Sequence, residues 1–193
     1  MPDKLLILAS TSPFRKTLLE RLGLRFEQIA PDCDETPRPG EPSLQLVERL
    51  AIEKAESVHR SQASSSIVIG SDQVADLNGT IIGKPHTHEA AVAQLSELSG
   101  NTVWFHTGLC LVTQEKQLTA VVSTEVKFRT LSPAQIERYL KTDTPYGCAA
   151  SFKSECMGSA IVESMKSDDP SALIGLPLIT VTAYLNELGM PVP

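Results

Sequence analysis

Leu6-Ile7-Leu8-Ala9-Ser10-Thr11-Ser12-Pro13-Phe14-Arg15-Lys16 passes abruptly from an apolar run to small hydroxyl residues, a proline and two cations. The apolar run predicts a buried strand over Leu5–Ala9. Proline suits the first position of a helix, and Gly23 stops that helix, which spans Pro13–Leu22. A strand that runs into a helix N-terminus presents free backbone N–H groups and a partial positive charge, and these attract anions. Arg15 adds a rigid fork of donors suited to phosphate. The stretch therefore predicts an α/β protein that handles phosphate.

Downstream, Arg25–Ala30 reads as a second strand and Pro31–Pro42 as a loop with four prolines, carrying Asp32, Asp34 and Glu35. Leu44, Val47, Leu50, Ala51, Ala55 and Val58 recur at helical spacing, which predicts a helix over Leu44–Arg60. Ser61–Ser66 is a polar connector. Ile67-Val68-Ile69-Gly70-Ser71-Asp72 reads as a buried strand ending at an acid. Asn78-Gly79 between Val74–Leu77 and Thr80–Ile82 signals a hairpin. Gly83-Lys84-Pro85 breaks the chain. Further helices are predicted over Glu89–Leu98, Ser132–Lys141 and Leu176–Leu188, with long paired strands over Thr102–Thr113 and Leu118–Arg129. The order predicts a mixed central sheet flanked by helices, with a cleft between two lobes, all in a single domain over residues 1–193.

Composition narrows the function. A net charge of −6 and a pI near 5.2 give no general affinity for nucleic acid or anionic membrane. A polyanionic ligand must therefore be held by a local cluster of cations. No apolar run approaches the ~20 residues that span a bilayer, and Leu5–Ala9 is too short for a signal-peptide core. Cys33, Cys110, Cys148 and Cys156 lack C-x-x-C spacing and read as reduced thiols of a cytoplasmic protein rather than a zinc site.

Asp72, at the expected end of a strand, is positioned to bind metal or activate water, although position alone fits a turn cap equally well. Asp32-Cys33-Asp34-Glu35-Thr36 also matches the D-x-D-x-T pattern of aspartate-nucleophile phosphatases. The polar, proline-terminated stretch before it is unlike the buried strand that such a nucleophile needs. Lys54 and Lys84 each read alone as surface lysines, although Gly83 permits close approach of backbone to a ligand. The loop Asp168–Leu178 reads as a packing element before the last helix.

Taken in order, seven segments resemble the Maf family of nucleotide pyrophosphatases. They are Leu8–Lys16, Asp34-Glu35-Thr36-Pro37, Glu53-Lys54-Ala55, Gly70-Ser71-Asp72-Gln73, Gly83-Lys84-Pro85, Ser151-Phe152-Lys153-Ser154-Glu155 and Gly175-Leu176-Pro177. The resemblance implies an elongated Maf/ITPase-like fold that hydrolyses a nucleoside triphosphate to a monophosphate and pyrophosphate. It implies a divalent metal (Mg, Mn or Co), a cytoplasmic location and a homodimer, with no nucleic-acid or membrane partner. On the matching positions, Asp72 would activate water and join Glu35 in holding the metal. Ser10, Arg15, Lys54 and Lys84 would bind phosphates.

Phe14, Gln73 and Glu155 occupy the positions that sort substrates in the family. They are similar to the branch that cleaves 7-methyl-GTP, which would keep modified nucleotides out of nucleic acids. The branch that cleaves dTTP or UTP has Arg, Thr and Gln there. An aromatic face attracts the cationic methylated base, and a carboxylate accepts from guanine's N1–H and N2–H. The alternatives are the dTTP/UTP reaction, the aspartate-nucleophile phosphatase and a nucleotide-binding regulator of cell division. Cys156 stands where the family usually has glycine, and Lys16 where it usually has arginine.

Overall fold

Four buried residues, Leu6–Ala9, form β1, and Ser12 then caps α1 (Pro13–Glu20) by accepting from the Arg15 backbone N–H. The computed structural model describes residues 4–62 and 65–192. β2 (Glu27–Ile29) follows, then α2 (Ser43–His59), β3 (Ile67–Leu77) and β4 (Thr80–Ile82). The chain continues through α3 (His88–Leu98), β5 (Thr102–Val112), β6 (Gln117–Phe128), α4 (Pro133–Asp143), β7 (Val162–Lys166) and α5 (Leu178–Glu187). Short 3-10 turns cover Ala149–Ser151, Met157–Ala160 and Pro170–Ile174. The connector expected over Ser61–Ser66 includes residues 63 and 64, which lie outside the described residues.

The seven strands make one mixed sheet in the order β2-β1-β3-β5-β6-β7, with β4 hydrogen-bonded to β3. β1 runs parallel to β2 and β3, and the other pairings are antiparallel. The expected mixed sheet, the Asn78-Gly79 hairpin and the long β5–β6 pair are all present. β7 was not expected, because its sequence Val-Glu-Ser-Met-Lys carries only a weak strand pattern.

One expectation is corrected. The strand over Ile67–Asp72 does not end at the acid but continues to Leu77, so Asp72 lies in mid-strand. Gly70, within this strand, is a contact point. A Cβ built there would lie 2.2 Å from the Ala51 carbonyl oxygen of α2. Asp72 nevertheless meets solvent because of its neighbours. β1 pairs with β3 only as far as Gly70, and β4 pairs only from Ala75. Both lie on the side of β3 opposite β5, so residues 71–74 border a notch in the sheet.

Side-chain alternation divides the core. On one face, Val68 and Cys110 pack under α2 with Ala51, Ala55 and Val58. On the other face, Ile67, Ile69, Leu109 and Leu111 pack with Leu18, Leu19, Val181 and Leu185 of α1 and α5. Further along that face, Ala75, Leu77, Val103 and Phe105 pack with Leu95, Leu98, Ile136 and Leu140 of α3 and α4. These two clusters are the cores of two lobes, and the notch lies between them. Among the described residues no helix is long and apolar enough to cross a membrane.

Gly108, directly across from Asp72 on β5, is a second contact point. A Cβ there would lie 2.1 Å from the Val47 carbonyl oxygen. Gly108→Ala must push α2 off the sheet. The expected cost is about 3 kcal/mol or more, at the top of the range for overpacking. Urea denaturation checks the value, and a change below about 1 kcal/mol would show that α2 has room to move.

Candidate active site

At the notch, α2 delivers Lys54 to Asp72. Its Nζ donates to Asp72 Oδ1 at 2.6 Å and lies 3.0 Å from Glu35 Oε2. Only 6% of the Lys54 side chain and 10% of the Asp72 side chain is exposed, whereas Glu35 is 59% exposed. Two carboxylates thus converge on one cation, one from the sheet and one from the proline-rich loop.

That loop is held by a charge network that the sequence does not advertise. Arg49 of α2 binds Glu41 through Nε at 2.6 Å and Nη2 at 2.7 Å, Glu53 through Nη1 at 3.0 Å and the Thr36 carbonyl at 3.2 Å. Arg38 adds a second bond to Glu53. The fork geometry of arginine pins the loop just after Glu35, at Thr36 and Glu41.

From the other side, α1 brings in Arg15. Its Nε donates to the Gly175 carbonyl at 2.9 Å and its Nη1 to Ser10 Oγ at 3.3 Å. Those bonds use two of the five guanidinium hydrogens and leave the rest for an anion. Burial pulls the Arg15 pKa down, opposed by the charges of Asp72 and Glu35, yet arginine stays protonated. Ser10 Oγ also accepts from the Ser12 N–H at 3.1 Å, which fixes the turn into α1.

The nine residues to which the family resemblance gives site roles line one cleft, with a cavity volume of about 450 Å³: Ser10, Phe14, Arg15, Glu35, Lys54, Asp72, Gln73, Lys84 and Glu155. Lys84 and Glu155 are exposed and Phe14 is half-buried. The Glu155 loop is anchored by Phe152, whose ring meets Phe105 and Phe128 at centroid distances of 5.6 and 5.4 Å. The Tyr139 hydroxyl accepts from the Lys153 N–H at 3.0 Å, and Asp143 accepts from the Met157 N–H at 2.8 Å. Gln73 turns its amide away from open solvent and donates to the Ala172 and Leu173 carbonyls at 2.8 and 3.0 Å.

Other expectations resolve differently. Asp34 accepts from the Thr36 N–H at 2.9 Å in an exposed turn, and neither it nor Asp32 lines the cleft, which removes the geometric basis for a phosphatase nucleophile. Cys156, where glycine is usual, is exposed, with φ −121° and ψ −131°. Lys16 points along α1 toward Glu20 at 3.8 Å and is not a cleft residue. The sequence reading missed Cys148, Phe152 and Ala149 in the cleft wall. Phe152 could have been found, since it is the one large apolar residue in Ser151–Glu155. Burial pushes the Cys148 thiol pKa up, which makes it a poor nucleophile.

Two carboxylates are hard oxygen donors of the kind that magnesium or manganese takes together with substrate phosphates. Among the described residues no group of three or more His, Cys, Asp or Glu could hold a metal by itself. The donor set fits an ion that arrives with, or is completed by, a phosphate ligand.

Arg49 holds the Glu41 carboxyl at about 2, below its ordinary 4.5, through side-chain hydrogen bonds aided by the Arg38 N–H. A depressed carboxyl contributes stability that is present above its unfolded value and lost as pH falls through the folded one. Glu41→Gln should therefore melt below the parent protein at pH 7, with the gap closing between pH 4.5 and about 2. Thermal melts across that range check it, and a gap independent of pH would assign the loss to packing.

The model of the Maf-like protein family matches residues 5–188. A protein of Nitrosococcus oceani named 7-methyl-GTP pyrophosphatase is 51% identical over 97% of this chain and 94% of its own length. Proteins of the same name from Polaromonas sp. and Vibrio vulnificus are 49% identical over 96% of this chain and 85% of theirs, and 48% identical over 100% and 99%. Among solved structures, the Ham1 protein of Staphylococcus aureus aligns with a TM-score of 0.47 and 17% identity, over 66% of this chain and 73% of that one.

Proposed function

Because the chain belongs to the Maf family, we propose that its cleft hydrolyses a nucleoside triphosphate to a monophosphate and pyrophosphate, with 7-methyl-GTP as the preferred substrate. The observation that carries this reading is the convergence of Arg15, Lys54 and Lys84 with Asp72 and Glu35 in one cleft of an otherwise acidic protein. Three cations offset the charge of a triphosphate, and that charge grows on the leaving pyrophosphate as the bond to the α-phosphorus breaks. The names of the relatives support the substrate.

In this mechanism Asp72 accepts the proton of the attacking water. Its Oδ1 is engaged by Lys54, which leaves Oδ2 as the acceptor. Lys54 holds that carboxylate in one orientation and presents its remaining hydrogens to phosphate. Arg15 and Lys84 bind the β- and γ-phosphates, assisted by Ser10 and the N-terminus of α1. Glu35 and Asp72 would hold a divalent metal, which supplies charge neutralisation at the phosphoryl oxygens. Phe14 stacks on the base, and the attraction of its face for a methylated, cationic guanine adds ~0.5–2 kcal/mol. Glu155, an acceptor only, pairs with the N1–H and N2–H of that base. We place the protein as a cytoplasmic homodimer, as the family resemblance implies.

Product analysis tests the reading. Incubation with 7-methyl-GTP, GTP, dTTP and UTP in turn, with magnesium or manganese, should release pyrophosphate, mainly from 7-methyl-GTP. Orthophosphate alone, or no product, would overturn the reaction, and preference for dTTP or UTP would overturn the base assignment. Asp72→Asn should lower kcat by about 10²–10⁴, the usual worth of a positioned base, with its circular dichroism unchanged.

Glu155→Gln gives the amide a donor where guanine presents donors. The ratio of kcat/KM for 7-methyl-GTP over dTTP should fall about tenfold, the cost of one mismatched hydrogen bond. An unchanged ratio would remove Glu155 from base recognition.

A further inference from the structure

Between the two lobe cores, one face of the sheet turns polar. Along β3 that face reads Ile67, Ile69, Ser71, Gln73, Ala75 and Leu77, and along β5 it reads Leu111, Leu109, Thr107, Phe105 and Val103. Ser71, Gln73 and Thr107 thus interrupt two otherwise apolar rows at the same level. Ser71 and Thr107 are fully buried. Three polar groups in such a place need partners, and all three find them in the segment Pro170–Gly175.

Thr107 Oγ1 donates its one hydrogen to the Ala172 carbonyl at 2.8 Å and accepts from Gln73 Nε2 at 3.1 Å. Gln73 Nε2 shares its two hydrogens among Thr107 Oγ1 and the Ala172 and Leu173 carbonyls. Those carbonyls only accept, which fixes which end of the amide faces them. Ser71 Oγ shares its hydrogen between the Gly108 and Gly175 carbonyls at 2.8 and 3.0 Å. The Gly175 carbonyl is the same atom that receives Arg15 Nε. Asp169 closes the far end of the segment, accepting from the Ser171 and Ile179 N–H groups at 3.1 and 2.7 Å. The segment also bridges the lobes, since Leu173 packs in one core and Ile174 packs against the other.

Resting on the pyrophosphatase reading, we propose that Ser71, Gln73 and Thr107 are positioning residues that fix Pro170–Gly175 and, through the Gly175 carbonyl, aim Arg15 at the polyphosphate. Gln73 is tied to this segment by its donor end, which is spent on the Ala172 and Leu173 carbonyls and on Thr107 Oγ1, and its Oε1 alone is left to meet a ligand. Alternation along β3 lets three consecutive residues serve both sides of the cleft. Ser71 and Gln73 set the phosphate grip from one face, and Asp72 carries the carboxylate on the other.

Thr107→Val keeps the shape and removes the hydroxyl, Thr107→Ser restores it, and Gln73→Glu sets an acceptor against two carbonyls. Each is assayed for kcat/KM on 7-methyl-GTP and GTP, and for binding of inorganic tripolyphosphate with magnesium by calorimetry. Thr107→Val and Gln73→Glu should weaken tripolyphosphate binding about tenfold, the scale of one lost hydrogen bond. The kcat/KM for both nucleotides should fall in step, leaving their ratio unchanged, and Thr107→Ser should recover binding to within about twofold. In an Arg15→Ala background, Thr107→Val should have no further effect on tripolyphosphate binding, an outcome that general loosening of the fold would not give. A changed nucleotide ratio in Gln73→Glu with parental tripolyphosphate binding would overturn the proposal in favour of direct base contact. Additive losses in the Arg15→Ala background would also overturn it. If the parent cleaves no nucleotide but the tripolyphosphate series behaves as expected, the positioning role stands and the pyrophosphatase reading fails.

Discussion

At Gly70 and Gly108 the backbone of α2 comes so close to β3 and β5 that one added methyl carbon would lie within 2.2 Å of a carbonyl oxygen. This approach sets the geometry of everything above it. α2 carries Lys54 at one point and Arg49 at another, so the same close packing brings the ammonium to Asp72 and lets Arg49 hold the loop that carries Glu35. A helix riding an ångström higher would leave Lys54 too far from Asp72 for a 2.6 Å bond and would leave two carboxylates facing each other uncompensated.

The second constraint is the unequal length of the strands. β1 ends at Ala9 and β4 begins its pairing at Ala75, and the gap between them exposes a buried strand to a ligand without breaking it. Asp72 can thus be rigidly held by mid-strand hydrogen bonding to β5 and still face a cleft. A site built on a strand is positioned more closely than one on a loop, which suits a group that must meet a water molecule at hydrogen-bond distance. Glu155, proposed to read the base, is placed less rigidly. It sits on a loop anchored in the core by Phe152, a base that supports it without fixing its terminal oxygens.

The electrostatics fit the composition. With a net charge of −6 the surface repels polyanions at long range, and the few cations of the cleft act only on a ligand already inside it. Arg15 and Lys54 are both committed to protein partners as well as available to phosphate. That double use keeps them in place before the ligand arrives and lowers the ordering cost of binding.

By itself the sequence determined the mixed sheet, the elements other than β7 and the hairpin at Asn78-Gly79, because apolar periodicity and turn chemistry are local signals, and its ordered motifs named, through their family resemblance, nine of the residues that line the cleft. Asp72 and Lys54 are eighteen residues apart, and nothing in either segment states that they meet at 2.6 Å. Only the tertiary structure decided that β3 runs on past its acid and that Gly70 is the point where α2 touches the sheet. Nor could the sequence tell that Asp32 and Asp34 lie outside the cleft, or that Gln73 spends its amide on Ala172 and Leu173. The reason is physical: each of these depends on which strand ends beside which, and on how closely a helix can approach a sheet. Such distances are fixed by packing between segments far apart in the chain.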